Sequence, residues 1–138
     1  MERFLEAQEK YYSHALSEIK NGRKSSHWIW YIFPQIAGRG KSYNATYYAI
    51  KDLDEAREYI SHPVLRERLV EISEALLAND DTAVEILGYT DSVKVKSCMT
   101  LFHEADPSIE VFSRVIDKFY DGKYDNLTLD IIKRGERL

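Results

Sequence analysis

The chain is short of the residues that would commit it to several common functions. Its single cysteine excludes an internal disulfide, and nothing else points to an oxidising compartment. The histidines stand at 14, 27, 62 and 103, with no pair four residues apart, and Cys98 has no second thiol, so no metal site is expected. With three prolines and six glycines there is no linker, and no repeat or low-complexity tract breaks the chain. No apolar run approaches the roughly 18–20 residues that span a bilayer, so no membrane is expected. The start, Met1-Glu2-Arg3-Phe4-Leu5-Glu6, is amphipathic and acidic, without an apolar signal core, and the expected compartment is the cytoplasm. No spacing calls for a cofactor.

The most informative absence is local. The chain carries 23 acidic residues, yet residues 20–51 contain none, where an even spread would place about five. That stretch holds Lys20, Arg23, Lys24, Arg39, Lys41 and Lys51, both tryptophans and the tyrosines at 31, 43, 47 and 48. The overall charge is −4. Basic groups interleaved with rings suit an anionic, flat-ringed ligand.

What is present reads as all-α, a single helical domain over 1–138 built from about seven to eight short helices. Phe4, Gln8, Tyr11 and Ala15 recur at helical spacing, and Gly22 is placed to end that helix. Leu65, Leu69, Ile72 and Leu76 form the clearest stripe, opened by Pro63. Asp52, Asp80 or Asp81, Asp91 and Asp106 are placed as N-caps, and Gly88 and Gly122 as stops. The bulky run 26–33 fits a buried strand or a short helix. Helices on both sides and the lack of partner strands favour helix, which would set Lys24, His27, Trp28, Tyr31 and Gln35 on one face.

That face has the parts of a small-molecule site: a lysine for an anion, a histidine for a proton and rings for stacking. Against it stands the plain reading of both tryptophans as core anchors. The loop Gly38-Arg39-Gly40-Lys41-Ser42 ends like a phosphate-binding loop. Gln35 stands where that motif needs glycine, and no strand precedes it, which leaves an anion-holding turn or a simple turn with Ser42 as N-cap. His62 and Arg66 open the long helix with positive charge, and Arg68 lies off the stripe, placed to pair with a carboxylate. On the helix from Asp91, Lys96, Thr100 and His103 share a polar edge beside Ser97, and Ser97 and Thr100 read as a pocket wall. Cys98 reads as core.

The run Ser26-His27-Trp28-x-Trp30-x-Ile32-Phe33-Pro34-Gln35 resembles the hallmark of a bacterial family of unknown function, whose members are often labelled calpastatin in genomes. The similarity continues through Tyr48-Ala49-Ile50, His62-Pro63-Val64-Leu65, Lys94-Val95-Lys96-Ser97 and Val115-Ile116-Asp117-Lys118-Phe119, and covers almost the whole chain. It implies a mainly helical fold and no established activity. The calpastatin label conflicts with the clear core of this chain, because calpastatin's inhibitory segments are disordered. Cys98 stands where that family usually has a small residue such as serine, and Arg66 where it often has glycine.

The resemblance places polar residues at Lys24, His27, Gln35, Ser42, His62, Lys96, Ser97 and Thr100, from three chain regions. With Trp28 and Lys41 they make the candidate ligand set, expected to converge on one pocket walled by 24–42, 62–68 and 96–100. Three functions fit: a binder of a small anionic, nucleotide-like ligand, an enzyme using His27 or His62 as acid–base group, and an interaction module that sets its basic aromatic patch on RNA or an acidic protein.

Overall fold

The computed structural model describes residues 1–136. Helix α1 (Glu2–Lys20) is the longest, and Gly22 follows it at φ +77°, the left-handed region that glycine enters without a Cβ clash. Next come α2 (Ile29–Ile32), α3 (Tyr43–Tyr47), α4 (Leu53–Ser61), α5 (Pro63–Leu77) and α6 (Ala83–Leu87). Then follow α7 (Tyr89–Ala105), α8 (Glu110–Phe119) and α9 (Asn126–Glu136). Among the described residues this makes nine helices and no strand, so the class is all-α with more elements than the seven to eight expected. The extra ones are single turns.

Helix α7 is the axis of the fold. It packs against α4, α6, α8 and α9, while α5 packs against α1, α4 and α8. A helix covered on most sides cannot carry a wide polar face, which is why Val95, Cys98, Met99, Leu101 and Phe102 lie buried around it. Around these the core gathers Phe4, Trp28, Phe33, Tyr59 and Phe112, with the stripe Leu65, Leu69, Ile72 and Leu76 of α5, all nearly solvent-free. Cys98 is fully buried, and burial pushes its thiol well up.

Capping explains most of the boundaries. The Asp52 carboxylate accepts the Glu55 amide at 2.8 Å, and Pro63 occupies the first turn of α5. Helix α6 starts at Thr82, not at Asp80 or Asp81, because Thr82 and Glu85 form a reciprocal capping box. Asp91 lies inside the first turn of α7 rather than before it. Asp106-Pro107 does not open α8. The Asp106 carboxylate instead takes the Ser108 amide at 3.1 Å and the Ser108 hydroxyl, and the helix begins at Glu110.

The run 26–33 is a bend followed by one helical turn. Lys24–Ser26 precede the helix, so Lys24, His27, Trp28 and Tyr31 do not share a continuous helical face. After Pro34 the chain makes a compact loop that carries α3. Its ends meet at a lone parallel bridge between Ile36 and Ile50, where the Ile50 amide reaches the Gln35 carbonyl at 2.8 Å and the Ala37 amide the Ile50 carbonyl at 2.7 Å.

Candidate functional site

The start of the acid-free segment converges on one carboxylate of α1. Glu18 lies on the inward side of α1, and its Oε1 accepts the amides of Ser25 at 2.6 Å and Ser26 at 3.0 Å. The Trp28 indole donates to the same oxygen at 3.0 Å, and the Ser26 hydroxyl donates to Oε2. Burial pushes this carboxyl up, but the hydrogen bonds from Ser26, Ser25 and Trp28 overcome it and hold the pKa at about 2. Trp28 is 1 % exposed and is a core anchor with its N–H satisfied. His14 Nε2 meets both Glu18 at 2.7 Å and Ser26 Oγ at 3.0 Å. One nitrogen serving both partners is not the relay of a nucleophilic triad, which needs the carboxylate on the opposite ring nitrogen.

Two of the six basic residues of the segment, Lys24 and Arg39, are paired with carboxylates. Lys24 Nζ lies 2.8 Å from Asp91 and 4.9 Å from the Trp28 ring centre. Lys94 repeats the arrangement, 3.0 Å from the same carboxylate and 5.1 Å from the Trp30 ring centre. Burial pushes the Asp91 carboxyl up, yet the two ammonium groups bring it below the ordinary value. A ligand anion at Lys24 would have to displace Asp91. Arg39 reaches from the glycine loop to Asp125 at 3.3 Å, a charge contact rather than an aligned hydrogen bond.

The other expected site residues are dispersed. The Ser42 hydroxyl caps α3 through the Ala45 amide at 3.2 Å. The His62 ring caps α5, its Nδ1 accepting the Val64 amide at 3.2 Å. Ser97 and Thr100 face α9 rather than a cavity. Ser97 shares a hydrogen bond with Thr128 at 2.9 Å, and Thr100 accepts the Asp125 amide at 2.9 Å. Buried hydroxyls need partners, and the last helix supplies them. Gln35 lines a crevice with Trp30, Asn44 and Tyr48 that has room for about one water. His27 and Lys41 are exposed, and Lys96 is half-buried.

Lys24 is held at the start of α7 by Asp91, while Arg66, one turn beyond His62, meets Asp106 just past its end, 3.6 Å away. Asp91 and Asp106 lie about 22 Å apart along the helix rise. The walls at 24–42 and 62–68 are thus set apart at Lys24 and Arg66, while Arg39 and Thr100, from the walls at 24–42 and 96–100, meet at Asp125.

What the structure does gather is a set of tyrosines. Tyr43 and Tyr47 stack with rings 8° from parallel at 5.6 Å, and Tyr47 meets Tyr48 edge-on at 4.8 Å. Tyr48 contacts Tyr31 at 5.2 Å, and Tyr31 contacts Tyr11 at 6.0 Å. Helices α1, α2 and α3 thus contribute to one continuous row of five rings. Tyr43 is 77 % exposed, Tyr11 50 % and Tyr47 46 %, so the row is a surface rather than a core. It edges a concavity of about 190 Å³, with Arg3, Lys10 and Glu6 also lining it. That volume falls below the roughly 300–1,000 Å³ of small-molecule pockets. Arg3 is fixed by the Ala49 carbonyl at 2.8 Å and by Glu55 at 3.0 Å. Burial, with Tyr11 and Tyr48 alongside, pushes the Tyr31 phenol up to about 12, so the inner ring stays neutral at physiological pH.

Sequence reasoning missed Glu18 and the row. Glu18 continues the inward spacing of Phe4, Gln8 and Ala15, and an acid on a core stripe is a signal for buried donors. Tyr11 fits the same periodicity, and only the packing reveals that it looks outward.

Among the described residues no group of three or more histidine, cysteine or acidic side chains is placed to hold a metal ion, and no helix is long and apolar enough to cross a membrane. None of the curated proteins matches the chain. The crystal structure of the conserved hypothetical protein Rv1873 from Mycobacterium tuberculosis, at 1.38 Å, is similar throughout, with a TM-score of 0.94 and 35% sequence identity. The match covers 96% of this chain and 95% of that one. Residues 1–132 match the model of a family described as protein of unknown function, DUF1810, and the chain belongs to that family.

Proposed function

We propose that the protein is a binding module that takes single-stranded RNA on the tyrosine face. The observation that carries this reading is the row of five rings, three of them open to solvent and four of them in a segment without a single acidic residue. Exposed tyrosines offer flat faces at low entropic cost, and a base stacked on one is worth about 1–3 kcal/mol. Lys10 borders the concavity and Lys41 precedes α3, both exposed and able to meet phosphates. Glu6 opposes such a ligand and sets the affinity lower than the rings alone would give.

The test is anisotropy of a short fluorescein-labelled single-stranded RNA, titrated at several salt concentrations, with an RNA duplex of the same sequence as comparison. Single-stranded binding that weakens with salt and with Tyr43→Ser and Tyr47→Ser supports the proposal. Equal binding of duplex and single strand would sink it. So would no binding of RNA beside clear binding of a poly-glutamate peptide, which would identify an acidic protein as the partner.

A further inference from the structure

A second face lies along α5, where the start of α8 leaves a groove of about 560 Å³ beside Pro63, Val70 and Ile109. It continues into a second hollow of about 410 Å³ that shares Val70 and Ile109 and adds Leu77 and Val111. The first hollow has an apolar floor and the second is mixed, and together they run beside α5, about 21 Å from Pro63 to Leu77.

The rim is acidic. Glu67, Glu71 and Glu74 stand four and three residues apart on α5, and all three line the groove. Like charges at that spacing destabilise a helix slightly. Glu71 accepts the Tyr12 hydroxyl, which does not neutralise it. The two arginines at the edges are already engaged, Arg66 with Asp106 at 3.6 Å and Arg114 with Glu110 at 3.1 Å. A groove with an apolar stretch at Pro63, Val70 and Ile109, bordered by uncompensated carboxylates in a helical row, has a definite complement.

We infer that this groove binds a basic amphipathic helix of a partner protein, about 14 residues long, with leucine-like side chains on the Val70–Ile109 floor and lysines or arginines opposite the three glutamates. The charge of the rim selects this occupant over an acidic helix. The groove is separate from the tyrosine face, and the inference does not depend on RNA binding.

The experiment titrates the full chain into a fluorescein-labelled amphipathic peptide of about 14 residues made of leucine and lysine. Two comparison peptides are used, one of the same composition with its order scrambled and one with glutamate in place of lysine. The amphipathic basic peptide should bind about tenfold or more tighter than either. Glu67→Lys with Glu74→Lys, both exposed positions, should weaken it about tenfold, while Tyr43→Ser leaves it unchanged. Methyl NMR of the complex should show the largest shifts at Val70, Leu77, Ile109 and Val111. Equal binding of the scrambled peptide, undiminished binding by the double variant, or shifts confined to other methyls would overturn the inference.

Discussion

Replacing Glu18 removes the carboxylate that accepts four hydrogen bonds from residues 25–28. In Glu18→Ala the Trp28 indole N–H, buried with its ring at 1 % exposure, loses its acceptor, and so do the amides of Ser25 and Ser26. A buried donor left unpaired costs about 1–3 kcal/mol, and hydrogen bonds to a charged acceptor stand at the upper end. Ser25 is exposed and Ser26 half-buried, so water can replace part of what they lose. The expected loss is about 3–4 kcal/mol, a large share of the roughly 5–15 kcal/mol that holds a domain folded. Glu18→Gln keeps an oxygen for the N–H donors but loses the charge and the acceptor of the Ser26 hydroxyl, so about 2–3 kcal/mol is expected.

The pH dependence separates the charge from the hydrogen bonds. The folded-state pKa of Glu18, about 2, lies below its ordinary 4.5. A depressed carboxyl contributes stability that is complete above the unfolded value and is lost as pH falls from about 4.5 towards 2. The gap corresponds to about 3 kcal/mol. Urea unfolding followed by tryptophan fluorescence, from about pH 7 down to 3, should show the wild type approaching Glu18→Gln as the pH drops. Parallel curves for the two proteins, or an alanine variant within about 0.5 kcal/mol of wild type, would refute the reasoning.

Other predictions follow from single contacts. Ser97→Ala should cost about 1 kcal/mol and Thr128→Val more, since Thr128 also donates to Asp125, and the double variant should fall short of the sum in chemical denaturation. Gly40→Ala would set a Cβ 2.9 Å from that of Ala45 and should lower the melting temperature, with Ala45→Gly restoring part of the loss. Glu6→Gln removes the carboxylate that lines the tyrosine concavity and should tighten RNA binding in the anisotropy titration.

Elements fixed by strong local rules were legible in the sequence. The α5 stripe from Leu65 to Leu76 is buried as its spacing requires, and Gly22, Gly88 and Gly122 all have positive φ where helix ends were expected. Asp52 and Ser42 cap as read, and Arg68 finds a carboxylate in Glu9 at 3.1 Å. The failures share a cause, which is that a side chain's partner lies far along the chain. Ser97 and Thr100 look like a pocket wall until α9, some thirty residues on, covers them. Lys24 looks free until Asp91 is brought beside it, and His62 looks reactive until its ring turns back on its own helix. The Asp106 cap was lost to a more local competitor, Ser108, two residues away. Tyr43 and Tyr47 sit four residues apart, so their stack was readable, but Tyr11 and Tyr31 join the row only through the packing of α1 on α2.

The claim that the tyrosine face is the functional one is tested most directly by Tyr43→Ser. Tyr43 is 77 % exposed, so its loss should leave stability within about 0.5 kcal/mol of wild type. On labelled single-stranded RNA the same change should weaken binding roughly five- to 150-fold, the value of one stacked base. RNA affinity equal to wild type in a folded Tyr43→Ser protein would contradict the account.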